Sequence, residues 1–431
     1  MTQRSEYDIR SQAKDVLGAL DIGLAGLEEL YRDLHRNPEL SGQEERTAAR
    51  VAGRLARAGY TVTSGVGGHG VVGLLRNGEG PVVMMRGDMD ALPIKEDSGQ
   101  PYASTVTAVD PYGARVPAAH ACGHDVHTTS LVGAAELLAA CCDRWRGTLM
   151  IVAQPAEEKL TGAAAMLADG LYTRFAKPDI ALGQHVASFP AGLIGHGKDV
   201  IMAAMTRLDA TISGQQGKRL LQFGAVDPVT ITASAISRLR EAAAQAGAPA
   251  EVSFPRLIGR SQANVVDQVE LGVIVRSHDE DVHHRLVQAV TDVLTEQTAG
   301  HGKTAVRIDG SAPANRLDAA AARRVRAAHT AWSGAGRVID VPPVTAAEDF
   351  AMYGAGGVSA YGAPAVPAVF WFTGASPLDA WLAAPAEDPR EKVAHMPALH
   401  SAQFIPDRVP TLRTAVEAMT VAGLAYLWEH A

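Results

Sequence analysis

Apolar residues return along this chain in two rhythms. Across residues 9–36, Leu17, Leu20, Leu24, Leu27, Leu30, Tyr31 and Leu34 recur every three or four positions, which predicts an amphipathic helix. Asn37-Pro38 ends it, because a residue before proline is pushed out of the helical region. A second helix fits residues 43–58 and stops at Gly59. Short apolar runs at 60–63, 71–75 and 82–85 read as strands, as do later runs at 148–153, 179–183 and 368–372. Helical spacing occupies 126–140, 161–169, 319–331, 348–353 and 409–428. Continuous apolar strands alternating with helices predict an α/β fold with a doubly wound mixed sheet.

Near Ala203 the texture changes. Residues 206–213 alternate like a half-exposed strand. A helix at 227–244 opens on Asp227-Pro228, a cap followed by proline at the first helical position. Strands at 251–257 and 265–277, a helix at 281–296 and a strand at 304–308 follow. This β-α-β-β-α-β order predicts a ferredoxin-like α+β insert of about 110 residues. The expected organisation is a discontinuous main domain, 1–202 and 313–431, interrupted by the insert at 203–312. The length of 431 residues agrees, since it exceeds what one core comfortably holds.

Gly65-Val66-Gly67-Gly68-His69-Gly70 matches the dinucleotide pattern G-x-G-x-x-G. A strand follows it rather than a helix, so no helix N-terminus is available to a pyrophosphate, and the stretch reads as a glycine-rich hairpin. Composition narrows the picture further. Hydrophobic residues at 47% and charged residues at 20% are those of a globular protein in water. The net charge of −8, without a long basic block, argues against nucleic acid or an anionic membrane as partner. Cys122, Cys141 and Cys142 are the only cysteines, an odd count that gives no disulfide framework. The N-terminal residues lack an apolar signal core, and the expected location is cytoplasmic.

The candidate chemistry clusters at strand ends. The run at 82–85 leads into Arg86-Gly87-Asp88-Met89-Asp90-Ala91-Leu92-Pro93, that at 148–153 into Gln154-Pro155-Ala156-Glu157-Glu158, and that at 179–183 into Gln184-His185-Val186. Open α/β sheets place their chemistry past such ends. Between the first two lies His120-Ala121-Cys122-Gly123-His124-Asp125-Val126-His127. A lone histidine or cysteine is usually an ordinary core residue. Here His120, Cys122 and His124 alternate, so an extended loop would turn them to one side, and thiolate with imidazole suits zinc, manganese or a similar metal. The loop at 95–119 is long enough to be functional. His400 stands just before the last helix.

Cys122, His124, Glu158, His185 and His400 are thus candidate ligands, with Glu157 beside them. Adjacent glutamates in an extended segment point apart. One can bind metal while the other handles a proton, a division that suits hydrolysis.

With these motifs in place, the chain resembles the metal-dependent amidohydrolases of the aminoacylase and glutamate-carboxypeptidase superfamily. Within it, the chain is most similar to the bacterial hippurate and N-acyl-amino-acid hydrolases and the plant auxin-conjugate hydrolases. The resemblance rests on His35-Arg36-Asn37-Pro38-Glu39-Leu40, on 88–93, 120–125, 154–158 and 184–186, on Glu348-Asp349-Phe350 and on His400-Ser401, all in family order. It implies two divalent ions, zinc or manganese first, with cobalt or nickel possible. Cys122 would bridge them. His124, Glu158, His185 and His400 would complete the set, Glu157 would be the general base, and Asp90 would orient a ligand. The insert would serve as lid and homodimerisation domain, with Asn264 and Arg276 holding the carboxylate of an N-acyl amino acid substrate.

One position departs from the family. Counting back from Asp227-Pro228 puts Gly214 at a family glycine and Lys218 where a histidine belongs, with Phe223 at a second histidine position. Three readings stay open: Lys218 substitutes as a positive donor to the reaction's oxyanion, another residue does that work, or activity is altered. The alternatives to acyl-amino-acid hydrolysis are a dipeptidase or aminopeptidase on related substrates and a non-catalytic relative.

Overall fold

The computed structural model describes residues 6–214, 227–247, 249–262, 265–296 and 303–427. Lys218, Phe223 and Asn264 lie outside the described residues. The chain forms two compact units. One comprises Met1–Ile201, Arg316–Pro342 and Met352–Ala431; the other comprises Met202–Asn315 and Pro343–Ala351.

The first unit is built on an eight-stranded mixed sheet. In spatial order its strands are Thr61–Val66, Gly70–Asn77, Gly147–Gln154, Val82–Asp88, Ile180–Pro190, Ala368–Ser376, Ile194–His196 and Val338–Asp340. The four central strands, from Gly147–Gln154 to Ala368–Ser376, run parallel, so their carboxyl ends share one edge. Val83, Met84, Met85, Leu149, Met150, Ile151, Leu182, Val369 and Phe370 are buried along them, as expected for strands covered on both faces. The glycine-rich stretch is a turn between the antiparallel strands Thr61–Val66 and Gly70–Asn77.

Helix His124–Ala140 packs on Val82–Asp88 and is buried on nearly every side, including Leu131, Val132 and Leu138. Each such aliphatic side chain contributes about 1.5–3 kcal/mol by leaving water. Gly133 lets its neighbours approach, since a Cβ there would sit 2.8 Å from Leu27 and 3.0 Å from Val416. Helices Leu20–Arg36 and Arg408–Leu424 supply those two residues.

The second unit is a four-stranded antiparallel sheet in the order Ala250–Gln262, Val265–Ser277, Ala204–Ser213, Lys303–Ala312. Helices Pro228–Ala244 and Glu280–Glu296 complete the ferredoxin-like order. Leu208, Ala210 and Ile212, with Val269, Leu271, Val273 and Val275, share one face by strand alternation and meet Ile231, Leu239, Leu286 and Val290 from the helices. Asp227 caps the first helix by accepting from Val229 N. Among the described residues no helix is long and apolar enough to cross a membrane.

Three local expectations change. The stretch 9–36 is two helices, Glu6–Leu17 and Leu20–Arg36, broken where Gly18, a weak helix former, interrupts the leucines. The run at 179–183 continues as a strand through Gln184-His185-Val186 to Pro190, because parallel pairing with Ala368–Ser376 extends across those polar positions. Residues 348–353 form only a short 3-10 turn, Asp349–Tyr353.

Candidate active site

The parallel strands bring separated motifs to one edge. Asp88 pairs in register with Gln154, and His185 with Phe372. Gly123 precedes helix His124–Ala140 with φ +82°, and a Cβ there would lie 2.4 Å from Val186 Cγ2. Only glycine satisfies both conditions. The turn sets Cys122 and His124 against the strand that carries His185. His400 approaches from the C-terminal side. Its φ of 64° is unusual for a residue with a side chain, and its N–H donates to Ala121 O at 2.8 Å.

Cys122 Sγ lies 3.4 Å from His185 Nε2 and 3.1 Å from His400 Nε2. His400 Nε2 is 3.3 Å from Glu158 Oε1. His124 Nε2 stands 3.9 Å from Glu158 Oε1 and 3.7 Å from Glu157 Oε2. The ligand atoms of Cys122, His124 and His185 all fall within 4.8 Å of one another, and so do those of Cys122, Glu158 and His400. Two three-residue clusters therefore share the one thiol.

Groups behind these atoms fix their orientation. His124 Nδ1 is 3.2 Å from Asp90 Oδ1, while Asp90 Oδ2 accepts from Ser41 Oγ at 2.7 Å and Glu158 N at 2.9 Å. His185 Nδ1 donates to Val186 O at 2.6 Å, which turns Nε2 toward Cys122. His127 Nε2 accepts from Val186 N at 2.9 Å, so its Nδ1 carries the proton and donates to Asp88 at 2.6 Å. Asp88 also receives Arg86, whose guanidinium reaches Gln154.

The charge balance is that of a site built for cations. Burial, with Glu158, Glu157 and Asp88 nearby, pushes the Cys122 thiol well above its ordinary range. Burial alone would depress His124, yet Asp88, Asp90 and Glu158 raise it to about 10. Glu158 is held down against its burial by His400 and His124. A carboxylate surplus that drives a buried thiol and a buried imidazole upward is one that divalent ions would relieve. His124 Nε2 is also buried without a hydrogen-bond partner among the described residues.

Residues 84–402 match peptidase family M20/M25/M40. The chain belongs to this family. An N-acetyl-L-cysteine deacetylase of Bacillus subtilis is 32% identical over 363 residues, covering 80% of this chain and 84% of the relative. A hippurate hydrolase of Campylobacter jejuni is 38% identical over 204 residues, 47% of this chain and 50% of the relative. A dinuclear metal-binding peptidase of family M20 from Bacillus subtilis superposes with a TM-score of 0.67 at 25% identity, covering 93% of this chain and 97% of that one. These relatives place the M20 chain among the metal-dependent amidohydrolases.

The donor set of the M20 chain fits two divalent ions: thiolate, imidazole and carboxylate, disposed in two clusters about one sulfur. Other residues near the sequence motifs turn out differently. His120 lines no cluster, and both its ring nitrogens are buried without a partner among the described residues. Burial depresses it to about 4. In the second unit, Arg276 Nη1 is 3.7 Å from Glu251 and its Nε 3.2 Å from Met205 Sδ. Sequence reasoning missed Ser41 and Arg86. A single serine carries no local signal, and a buried arginine inside an apolar strand reads as the strand's end.

Proposed function

We propose that this M20 hydrolase cleaves the amide bond of N-acyl amino acids, releasing a carboxylic acid and the amino acid. The observation that carries the reading is the pair of ligand clusters sharing Cys122, with Glu157 at their side. Cys122, His124 and His185 would hold one divalent ion, and Cys122, Glu158 and His400 a second. Bound there, such ions lower the pKa of water and polarise an amide carbonyl. Glu157 takes the proton of the attacking water and delivers it to the leaving nitrogen, a transfer worth about 10²–10⁴ in rate. Asp90 and the Val186 carbonyl each occupy the Nδ1 of a histidine, so Nε2 would be the atom of each ring left to hold an ion.

Asn264 and Arg276 as carboxylate donors, Lys218 as oxyanion donor and a homodimer through the second unit complete the proposal on the family resemblance. The test joins metal analysis to a substrate panel of N-acyl amino acids and free-amine dipeptides, with Glu157→Ala as control. Two ions per chain, preference for acylated substrates and loss of turnover with metal retained are expected. A metal-free protein, or a Glu157→Ala variant as fast as wild type, would sink the reading.

A further inference from the structure

His35 lies in the last turn of helix Leu20–Arg36, far from either ligand cluster in sequence, and its side chain is 2% exposed. Its Nδ1 lies 2.6 Å from Asp125 Oδ2 and its Nε2 3.0 Å from Glu96 Oε1. A neutral imidazole has one N–H. With a carboxylate at each nitrogen the ring donates twice, so it is an imidazolium. Burial works against that charge, but Asp125 and Glu96 hold the ring at about 9.

Each carboxylate is fastened to a ligand-bearing segment. Asp125 follows His124 directly, and its other oxygen accepts from Val126 N at 2.9 Å in the first turn of the helix. Glu96 gathers the loop after Pro93 by accepting from Ser104 N at 2.6 Å and from Ser98 Oγ. The next residue, Asp97, donates its N–H to Ala402 O at 2.7 Å, two positions beyond His400. One ring thus joins the segment just after His124, through Asp125, to the segment just after His400, through Glu96 and Asp97. Tyr102 closes edge-on over it, with ring centres 5.3 Å apart.

We propose that His35 is a positioning residue: it ties the helix start that carries His124 to the turn that carries His400, and so sets the spacing of the two ligand clusters. The inference rests on the ligand assignment proposed above. Its alternative is a purely structural ion pair, and the two differ in what they do to metal binding at temperatures where the protein stays folded.

The test is cobalt(II) titration of the full chain against a competing chelator. The thiolate-to-cobalt absorption reports on Cys122, and thermal unfolding is followed alongside. The variants are His35→Gln, Glu96→Gln and Tyr60→Phe. Tyr60 donates to Ala135 O at 2.9 Å in helix His124–Ala140, so Tyr60→Phe removes a buried bond about three turns away from His124.

His35→Gln is expected to weaken cobalt affinity about 10–100-fold and to alter the thiolate band. Glu96→Gln should move both in the same direction. Tyr60→Phe should lower the unfolding temperature and leave both unchanged. Wild-type affinity and spectrum in folded His35→Gln would overturn the inference. An equal loss in Tyr60→Phe would also overturn it, since affinity would then follow stability. If His35→Gln does not fold, Glu96→Gln decides by the same two readouts. A wild-type chain that takes up no cobalt sinks the ligand assignment itself and the inference with it, a result distinct from wild-type binding that survives the substitutions.

Discussion

Asp90→Asn is the most informative single change at the site. Asp90 presents two acceptor oxygens to three donors: His124 Nδ1 at 3.2 Å on one side, Ser41 Oγ at 2.7 Å and Glu158 N at 2.9 Å on the other. An asparagine of the same shape keeps one oxygen and adds an amide donor. With its oxygen toward Ser41 and Glu158, its NH₂ faces His124 Nδ1. That imidazole must then move its proton to Nε2, the atom proposed to bind metal. With its oxygen toward His124, the NH₂ faces the N–H of Glu158, and a buried donor is left unmade at a cost of about 1–3 kcal/mol. Ser41 can rotate to accept, but a backbone N–H cannot. Either orientation disturbs His124 or Glu158, one from each cluster. The expected loss of metal affinity is about 10–100-fold, or ~1.4–2.7 kcal/mol at 1.36 kcal/mol per tenfold. Competition titration reads it directly, and kcat should fall as the proposed Glu158 and His124 ligands lose alignment. An Asp90→Asn protein with wild-type affinity and turnover would refute the claim that this carboxylate fixes the histidine tautomer.

Cys122→Ser removes the atom common to both clusters, and metal analysis should find fewer than two tightly held ions per chain. Stoichiometry unchanged from wild type would exclude a shared thiolate. Gly123→Ala forces a side chain into φ +82° with its Cβ 2.4 Å from Val186 Cγ2. The left-handed backbone costs about 1–2 kcal/mol and the overlap about 1–3 kcal/mol. Urea unfolding should register a loss of at least ~2 kcal/mol from these sources combined, and a loss below that would show that the strand can retreat. His196 and His329 give the metal-free protein an acid limb. Burial and the neighbouring ring hold His196 at about 2, and burial holds His329 at about 4, both below the unfolded 6.5. The unfolded chain therefore takes up protons first, so this stabilisation is present above pH 6.5 and is lost as pH falls, down to about 4 for His329 and on to about 2 for His196. Unfolding temperature against pH should show a shallower decline in that window for His329→Gln than for wild type. Equal slopes would assign the limb to other groups.

Much of this was legible in the sequence because local order carries it. The parallel strands announced themselves as apolar runs, and the second unit as a β-α-β-β-α-β succession. The candidate residues Cys122, His124, Glu157, Glu158, His185 and His400 stood out because each lies beside a strongly patterned segment. What local pattern cannot encode is pairing across distance. The strand holding His185 outran its apolar run because its length is set by the partner strand Ala368–Ser376. The contact of His35 with Glu96 and Asp125 joins segments that have no shared periodicity. Ser41 holds Asp90 without any pattern of its own.

The histidines make the limit concrete, since residue type and neighbourhood alone do not separate them. What separates them is where each ring nitrogen is spent. His127 uses both, one on Asp88 and one on Val186 N, so it has no lone pair left for metal despite standing three residues from His124. His35 also uses both, but on two carboxylates, which makes it a cation rather than a ligand. His120 has neither nitrogen bonded among the described residues. His124 and His185 spend Nδ1 on Asp90 and the Val186 carbonyl and keep Nε2 for the cluster. Each of these two rings has one nitrogen fixed and the other turned to the cluster: Asp90, just past strand Val82–Asp88, fixes His124 across 34 positions, and the adjacent Val186 carbonyl fixes His185. His124 and His185 thereby suit the ligand roles proposed for them, His127 supports Asp88 and Val186, and His35 bridges two carboxylates, while His120 takes none of these roles among the described residues.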